Sequence, residues 1–331
     1  MVRVLLCGFG YMGRLHARVL GELPGVTLVG VVDPRGADVR EELRRSGSMA
    51  PVFTDLTQAL TDTACEVVDI CLPTDLHRRA AETALTAGRH VFCEKPLALN
   101  VVDAEATVRT ARETGRQLMV GHCIRFWPEY EVLHDLVRSG EHGDLMSLSL
   151  SRRNARPDYA VGAWTDDPAR CVGAALDMHI HDTDFVCHLL GSPRAVSARG
   201  RREPTGWNSI ASLYDFGPDG PLVFANGAWN YPPGWGFQMK FSAVFERGAL
   251  DYDSRGEPTL LLTVGTQTPR PVALPADRPD GYHGELAYFF SRLREGRAVE
   301  KSTGGQAAES LRVTLAEIES AARGGRAVSL Q

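Results

Sequence analysis

Lysine is scarce in this chain: Lys95, Lys240 and Lys301 are the only three among 36 basic residues. A chain that meets almost all its positive charge with arginine keeps a lysine where only an amine serves, which singles out Lys95. Positive charge is not in excess either. The 36 basic residues face 41 acidic ones, a net charge of −5, so neither nucleic acid nor an anionic membrane is expected as partner. No apolar run approaches the roughly 20 residues that span a bilayer. The opening MVRVLLCGFG lacks the cleavage segment of a signal peptide. The seven cysteines form no C-x-x-C pair; an odd, scattered set reads as buried thiols in a reducing cytoplasm, not as disulfides or a zinc ribbon. What is present, 331 residues with 44% hydrophobic and 23% charged, suffices for two ordinary domains.

The first 120 or so residues alternate short β-branched runs (2–7, 27–32, 67–72, 90–93, 118–121) with stretches of helical periodicity (12–20, 40–45, 76–87, 101–114). Continuous apolar strands alternating with helices give βαβ units, hence a parallel doubly wound sheet of Rossmann type over residues 1–122. Beyond it, Met146, Leu148 and Leu150 alternate with serines, the pattern of a strand with one buried face. Further runs at 210–216, 222–229, 237–245, 250–252 and 259–264 are separated by close turns, and helical segments follow at 284–294 and 306–322. Residues 123–331 therefore read as an α+β domain with an open, mostly antiparallel sheet. Its uncovered face and edges call for a second copy, a homodimer or homotetramer.

Gly8-Phe9-Gly10-Tyr11-Met12-Gly13 follows the first strand and opens the first helix, with Asp33 ending the second strand 25 residues after Gly8. In that context the glycines allow a tight turn, close approach of a pyrophosphate and close helix–strand packing. Asp33 can accept hydrogen bonds from the ribose hydroxyls of NAD, or merely cap the turn into Pro34. Arg35 is positioned to accommodate the extra phosphate of NADP, so NAD is expected and dual use stays open. Cys71, Pro73, Thr74 and His77 lie at the next strand end, on the carboxyl edge where open α/β sheets bind ligands.

Two segments carry candidate chemistry. His90-Val91-Phe92-Cys93-Glu94-Lys95-Pro96 runs from a buried strand into a corner where proline keeps Lys95 out of the helical region. Lys95 then projects at the cofactor edge, or else pairs on the surface with Glu94. In the second segment, Asp177, His181, Asp184 and His188 recur at i, i+4, i+7 and i+11, a polar stripe on a helix with one buried side. The stripe reads as acid/base machinery, as a solvated face, or as a metal site with His179.

These segments together, GFGYMGRLHARVL, CEKPL, GHCIRFWP, ALDMHIHDTDFVCHLLG and YHGELAYFFSRL, resemble the glucose–fructose oxidoreductase/inositol dehydrogenase/rhizopine-catabolism (Gfo/Idh/MocA) family over essentially the whole length. The resemblance implies a catalytic triad of Lys95, Asp177 and His181, and a cis peptide before Pro96. It places Glu94, Lys95 and Arg125 at the cofactor, and His122, Trp164 and Tyr282 with the triad at the substrate. It implies an NAD-dependent dehydrogenase acting on a secondary alcohol of a cyclitol or sugar. Other readings are an NADP-linked keto-sugar reductase, a non-catalytic dinucleotide sensor or scaffold, and a metal-dependent lyase or hydrolase. Many members carry glycine where this chain has His179, whose ring then faces either the substrate or the core. Substrate choice is expected in the loops around 159–167 and 231–236.

Overall fold

Val4, Leu5 and Leu6 are all fully buried, as a strand covered by helices on both faces requires. The computed structural model describes residues 1–157, 161–275 and 280–330, apart from the side chains of 161–163. Tyr159, in one of the expected substrate loops, lies outside the described residues. Val2–Cys7 (β1), Val26–Val32 (β2), Val52–Phe53 (β3), Val67–Ile70 (β4), His90–Glu94 (β5) and Leu118–Gly121 (β6) form a parallel sheet in the order β3-β2-β1-β4-β5-β6. The order reverses between β1 and β4, the switch point where doubly wound folds take up ligands. The connecting helices are Tyr11–Glu22 (α1), Gly36–Arg45 (α2), Leu56–Asp62 (α3), His77–Thr86 (α4) and Val101–Thr114 (α5). Asp55 caps α3 and Asn100 caps α5, each accepting a main-chain N–H of the first turn. The short pair β3 and α3 has no counterpart in the pattern reading, because two strand residues are too few to show a period.

The second sheet is mixed and larger. Its strands are Leu145–Ala155 (β7), Ala195–Glu203 (β8), Gly206–Asp215 (β9), Leu222–Tyr231 (β10), Gln238–Phe245 (β11), Gly248–Asp253 (β12), Leu260–Val264 (β13), Arg270–Pro271 (β14) and Val328–Ser329 (β15). They run in the order β14-β13-β12-β11-β7-β10-β9-β8-β15. Among the described residues of this sheet, only β7 and β10 pair in parallel; the other pairs are antiparallel. Helices Pro128–Ser139 (α6), Ile180–Leu190 (α7), Gly281–Arg294 (α8) and Gly304–Ala322 (α9) complete the chain. Leu213, Leu222, Phe224 and Val244 are exposed on the sheet, and the register puts Leu213 beside Phe224.

The chain divides into two compact units, but not by a single cut at 122/123. The first takes Met1–Cys123 and also Tyr282–Ala308 with a short stretch ending at Trp164; the second holds most of the remainder, including residues 309–330. Most of α8 therefore belongs with the parallel sheet, where Phe289 packs edge-on against Phe92 of β5 at 5.6 Å. Among the described residues, no helix is long and apolar enough to cross a membrane.

Candidate active site

In the first unit, the glycine turn is built as a cradle. Gly8 has φ +97, and a Cβ there would lie 2.5 Å from the Cys71 carbonyl oxygen; one on Gly13 would run into the Gly8 carbonyl oxygen. A Cβ on Gly10 would meet nothing within 4 Å. Gly10 is also the N-cap of α1 and gives it no side-chain cap. Open space before an uncapped helix N-terminus is what a pyrophosphate needs, so these residues fit a dinucleotide. Tyr11 is exposed and Met12 half-buried beside this space.

Asp33 is differently engaged from the expectation. Oδ1 accepts the Arg35 main-chain N–H and Nε, and Oδ2 accepts the Phe9 N–H and Arg35 Nη2, all at 2.9 Å. Burial alone would raise the carboxyl, but the Arg35 bonds outweigh it and hold Asp33 below its usual range. Four accepted bonds saturate the carboxylate, so ribose hydroxyls can reach it only where Arg35 yields. The guanidinium also donates to the Phe9 carbonyl at 2.8 Å. Asp33 and Arg35 thus act as one unit at the strand end, and Asp33 does not simply cap Pro34.

Three expected cofactor contacts turn inward. His77 is 1% exposed, with Nδ1 2.8 Å from the Pro96 carbonyl and Nε2 2.8 Å from the Leu72 carbonyl. Burial pushes this ring below its ordinary value. Glu94 is buried, with Oε1 3.1 Å from His16 Nε2, and its Oε2 accepts the Lys95 N–H at 3.1 Å. The Cys71 thiol lies 3.2 Å from His16 Nδ1, and its Cβ side packs under Gly13. Pro73 stays half-buried and Thr74 is buried as the first residue of a short 3-10 turn. Lys95 itself follows β5 directly, half-buried, on the same carboxyl edge as the glycine turn, and the Lys95–Pro96 peptide is cis. Trp164 and Tyr282 are half-buried, whereas His122 is fully buried and so is an interior residue rather than an exposed substrate contact.

In the second unit, the polar segment is not one continuous α-helix. Ala175–His179 forms a π-helical turn that leads into α7, a local widening often found at functional sites. Gly173 at φ +90 precedes it, where a Cβ would lie 2.6 Å from the Trp207 main-chain nitrogen. Residues 180–186 are all buried, so the solvated-face reading fails. Each buried charge instead has a partner from far along the chain. Asp182 pairs with Arg152 at 3.0 Å, and Asp184 with Arg125 at 2.7 Å. Arg125 is 2% exposed and is bidentate to Asp184, which makes it a tie within this unit rather than the expected cofactor contact. His188 stacks on His134, centroids 4.8 Å apart.

His179 turns into the core, with Nε2 3.0 Å from Glu317 Oε2 and 3.3 Å from Ser212 Oγ. Asp177 is half-buried on the π turn, and His181 is 8% exposed at the start of α7. The groups whose ligand atoms lie close enough to hold a metal, among the described residues, are elsewhere: His16 with Asp69 and Cys71, and His16 with Glu94 and Glu285. Pattern reading did not single out His16, although it sits in the glycine-turn helix with a buried spacing.

Comparison with known proteins adds to this geometry. Residues 2–122 match a family model described as an oxidoreductase family with an NAD-binding Rossmann fold, and residues 130–251 match the GFO/IDH/MocA C-terminal domain. The chain is 32% identical over 169 residues to a 4-carboxy-2-hydroxymuconate-6-semialdehyde dehydrogenase of Sphingobium sp., covering 50% of this chain and 53% of that protein. It therefore spans about half the length of that relative. An inositol 2-dehydrogenase of Rhizobium meliloti is 24% identical, with 91% of each chain covered. The crystal structure of GenD2 from gentamicin A biosynthesis, in complex with NAD, superposes with a TM-score of 0.84 at 27% identity, covering 100% of this chain and 96% of that one.

Proposed function

Because the chain belongs to the GFO/IDH/MocA oxidoreductase family, we propose that it is an NAD-dependent dehydrogenase acting on a secondary alcohol of a cyclitol or sugar. The observation that carries this reading is in the first unit: Lys95 stands at the carboxyl end of β5, on the sheet edge where the open Gly10 turn and uncapped α1 fit a dinucleotide. When bound, a nicotinamide supplies hydride chemistry. The chain's residues supply the rest. His181 takes the hydroxyl proton as general base, and Lys95 donates a hydrogen bond to the same oxygen as charge develops on it. Asp177 orients the substrate through a neighbouring hydroxyl or tunes His181, while Trp164 and Tyr282 contact the sugar. The inositol 2-dehydrogenase relative supports a cyclitol as first substrate to try.

A second reading has its own support. Arg35 lies over Asp33, which favours use of NADP as well, in a keto-sugar reductase. The exposed Leu213, Leu222, Phe224 and Val244 on the large sheet suit a second copy of this chain, checked by light scattering after size exclusion.

The test is turnover against a panel of inositols and pyranoses, followed by nicotinamide absorbance, in the parent, Lys95→Ala and His181→Ala. Each variant should lose about 10²–10⁴ in kcat and keep its affinity for NAD, read by fluorescence. Near-normal turnover in Lys95→Ala overturns the assignment.

A further inference from the structure

Beside β5, the strand that Lys95 follows, lies a set of buried ionisable groups for which the proposed chemistry has no use. His16 on α1 is fully buried, with Nδ1 2.9 Å from Asp69 Oδ2 and Nε2 3.1 Å from Glu94 Oε1. A carboxylate only accepts hydrogen bonds, so a ring with one at each nitrogen carries both protons. Burial opposes that charge, and the Asp69 carboxylate outweighs it, holding His16 well above its ordinary value. A ring that donates from both nitrogens has no lone pair for a metal, so the metal-like spacing around His16 is better read as a charge-balanced clamp.

The clamp leads to the lysine. Glu94 Oε1 meets His16, and its Oε2 accepts the Lys95 main-chain N–H at 3.1 Å. Gly121 on the neighbouring β6 makes room for it, since a Cβ there would lie 3.1 Å from Glu94 Oε1. Phe92 packs edge-on against the His16 ring at 5.6 Å. From the far side of the corner, His77 on α4 reaches the Pro96 carbonyl at 2.8 Å. The charged and titratable groups around the corner include Glu94, His16, Asp69, Cys71, His77 and Cys93, whose thiol donates to the Glu94 carbonyl, with Glu285 of α8 close to His16 and Glu94.

We propose that His16 is a positioning residue for Lys95: by clamping Glu94 it fixes the corner from which the Lys95 amine departs. His16 rides on α1, whose N-terminus is the dinucleotide cradle, so one helix bears on both the cofactor phosphates and the direction of the lysine. The effect on turnover rests on Lys95 being the catalytic amine; the clamp itself does not.

The scarcity of lysine makes this testable without activity. Lys240→Arg with Lys301→Arg leaves Lys95 as the only lysine, so isotope-labelled lysine gives one side-chain NMR signal whose titration can be followed. Two variants then split the ring. His16→Gln keeps a donor where Nε2 met Glu94, and His16→Asn keeps one toward Asp69 but releases Glu94. The expected result is a displaced Lys95 titration, by about one pH unit, and a kcat about tenfold lower in His16→Asn with NAD affinity unchanged. His16→Gln should return both toward the parent. Parent-like Lys95 titration in both variants overturns the inference, whatever the activity. A displaced titration alongside full turnover in Lys95→Ala upholds the clamp and removes only the catalytic reading. Should His16→Asn fail to fold, Glu94→Gln serves: loss of the neighbouring anion should lower the Lys95 titration midpoint, and an unmoved midpoint overturns the proposal.

Discussion

A Cβ on Gly227 would lie 2.7 Å from the Cβ of His179. The two residues are therefore a matched pair: the imidazole enters the core of the second unit only because β10 carries no side chain opposite it. Once inside, it is held by Glu317 at 3.0 Å. Gly227→Ala should destabilise the protein by about 1–3 kcal/mol through overpacking. His179→Gly should relieve that penalty, so that the double variant is more stable than the sum of the two single changes implies. Urea unfolding of the four proteins measures the coupling; strict additivity would mean that the two sites do not share this space.

Asp33 and Arg35 predict the cofactor behaviour. Arg35→Ala frees two of the four positions on the Asp33 carboxylate, so NAD affinity should hold or rise, while NADP loses its cationic partner. A charge-assisted hydrogen bond contributes about 1.5–3 kcal/mol, which corresponds to a loss of roughly ten- to a hundredfold in NADP affinity. Asp33→Asn should move the preference the other way. Fluorescence titrations with both nucleotides decide it, and equal NADP affinity in parent and Arg35→Ala would remove Arg35 from the site.

Much of this architecture is readable from residue order, and the unread part has a common cause. Apolar strand runs and the glycine turn are local signals, and they mark β1, β2, β4, β5 and β6 to within a residue or two. A buried charge looks the same in sequence as a solvated one until its partner is known. Asp182, Asp184 and His179 find theirs in Arg152, Arg125 and Glu317, at separations no short-range pattern reports. The periodic reading of the Asp/His stripe also assumes a uniform helix, and the π turn at Ala175–His179 breaks that uniformity just where Asp177 sits. The side chains of His77 and Glu94, expected at the cofactor edge, turn toward carbonyls and an imidazole that belong to other elements.

The His16 clamp also imposes a pH dependence. Its folded value is raised by Asp69 against the opposition of burial. A raised cationic group contributes its full stabilisation below the unfolded histidine value of about 6.5 and loses it as pH rises through the higher folded value. The stability difference between the parent and His16→Asn should therefore be fully present below about pH 6.5 and shrink as the pH rises through the raised folded value. Unfolding curves across that range check the sign, and a difference that grows with pH would mean the ring is neutral when folded.

Asp184 is a structural member of the polar stripe, and it tests the catalytic role proposed for His181. It lies three residues after His181, yet it is fully buried and accepts bidentate bonds from Arg125 at 2.7 Å, with Ser310 Oγ also 2.7 Å from Oδ1. Replacing one partner leaves a buried guanidinium uncompensated, so Asp184→Asn should cost about 3–5 kcal/mol. Removing both charges, Arg125→Met with Asp184→Leu, should recover much of that loss, because a buried pair and a packed apolar replacement are often near equal in stability. His181→Gln, which keeps most of the buried volume, should behave in the opposite manner, with turnover falling further than the unfolding midpoint does. If Asp184→Asn instead abolished turnover at unchanged stability, the carboxylate would belong to the chemistry and the pairing with Arg125 would be incidental.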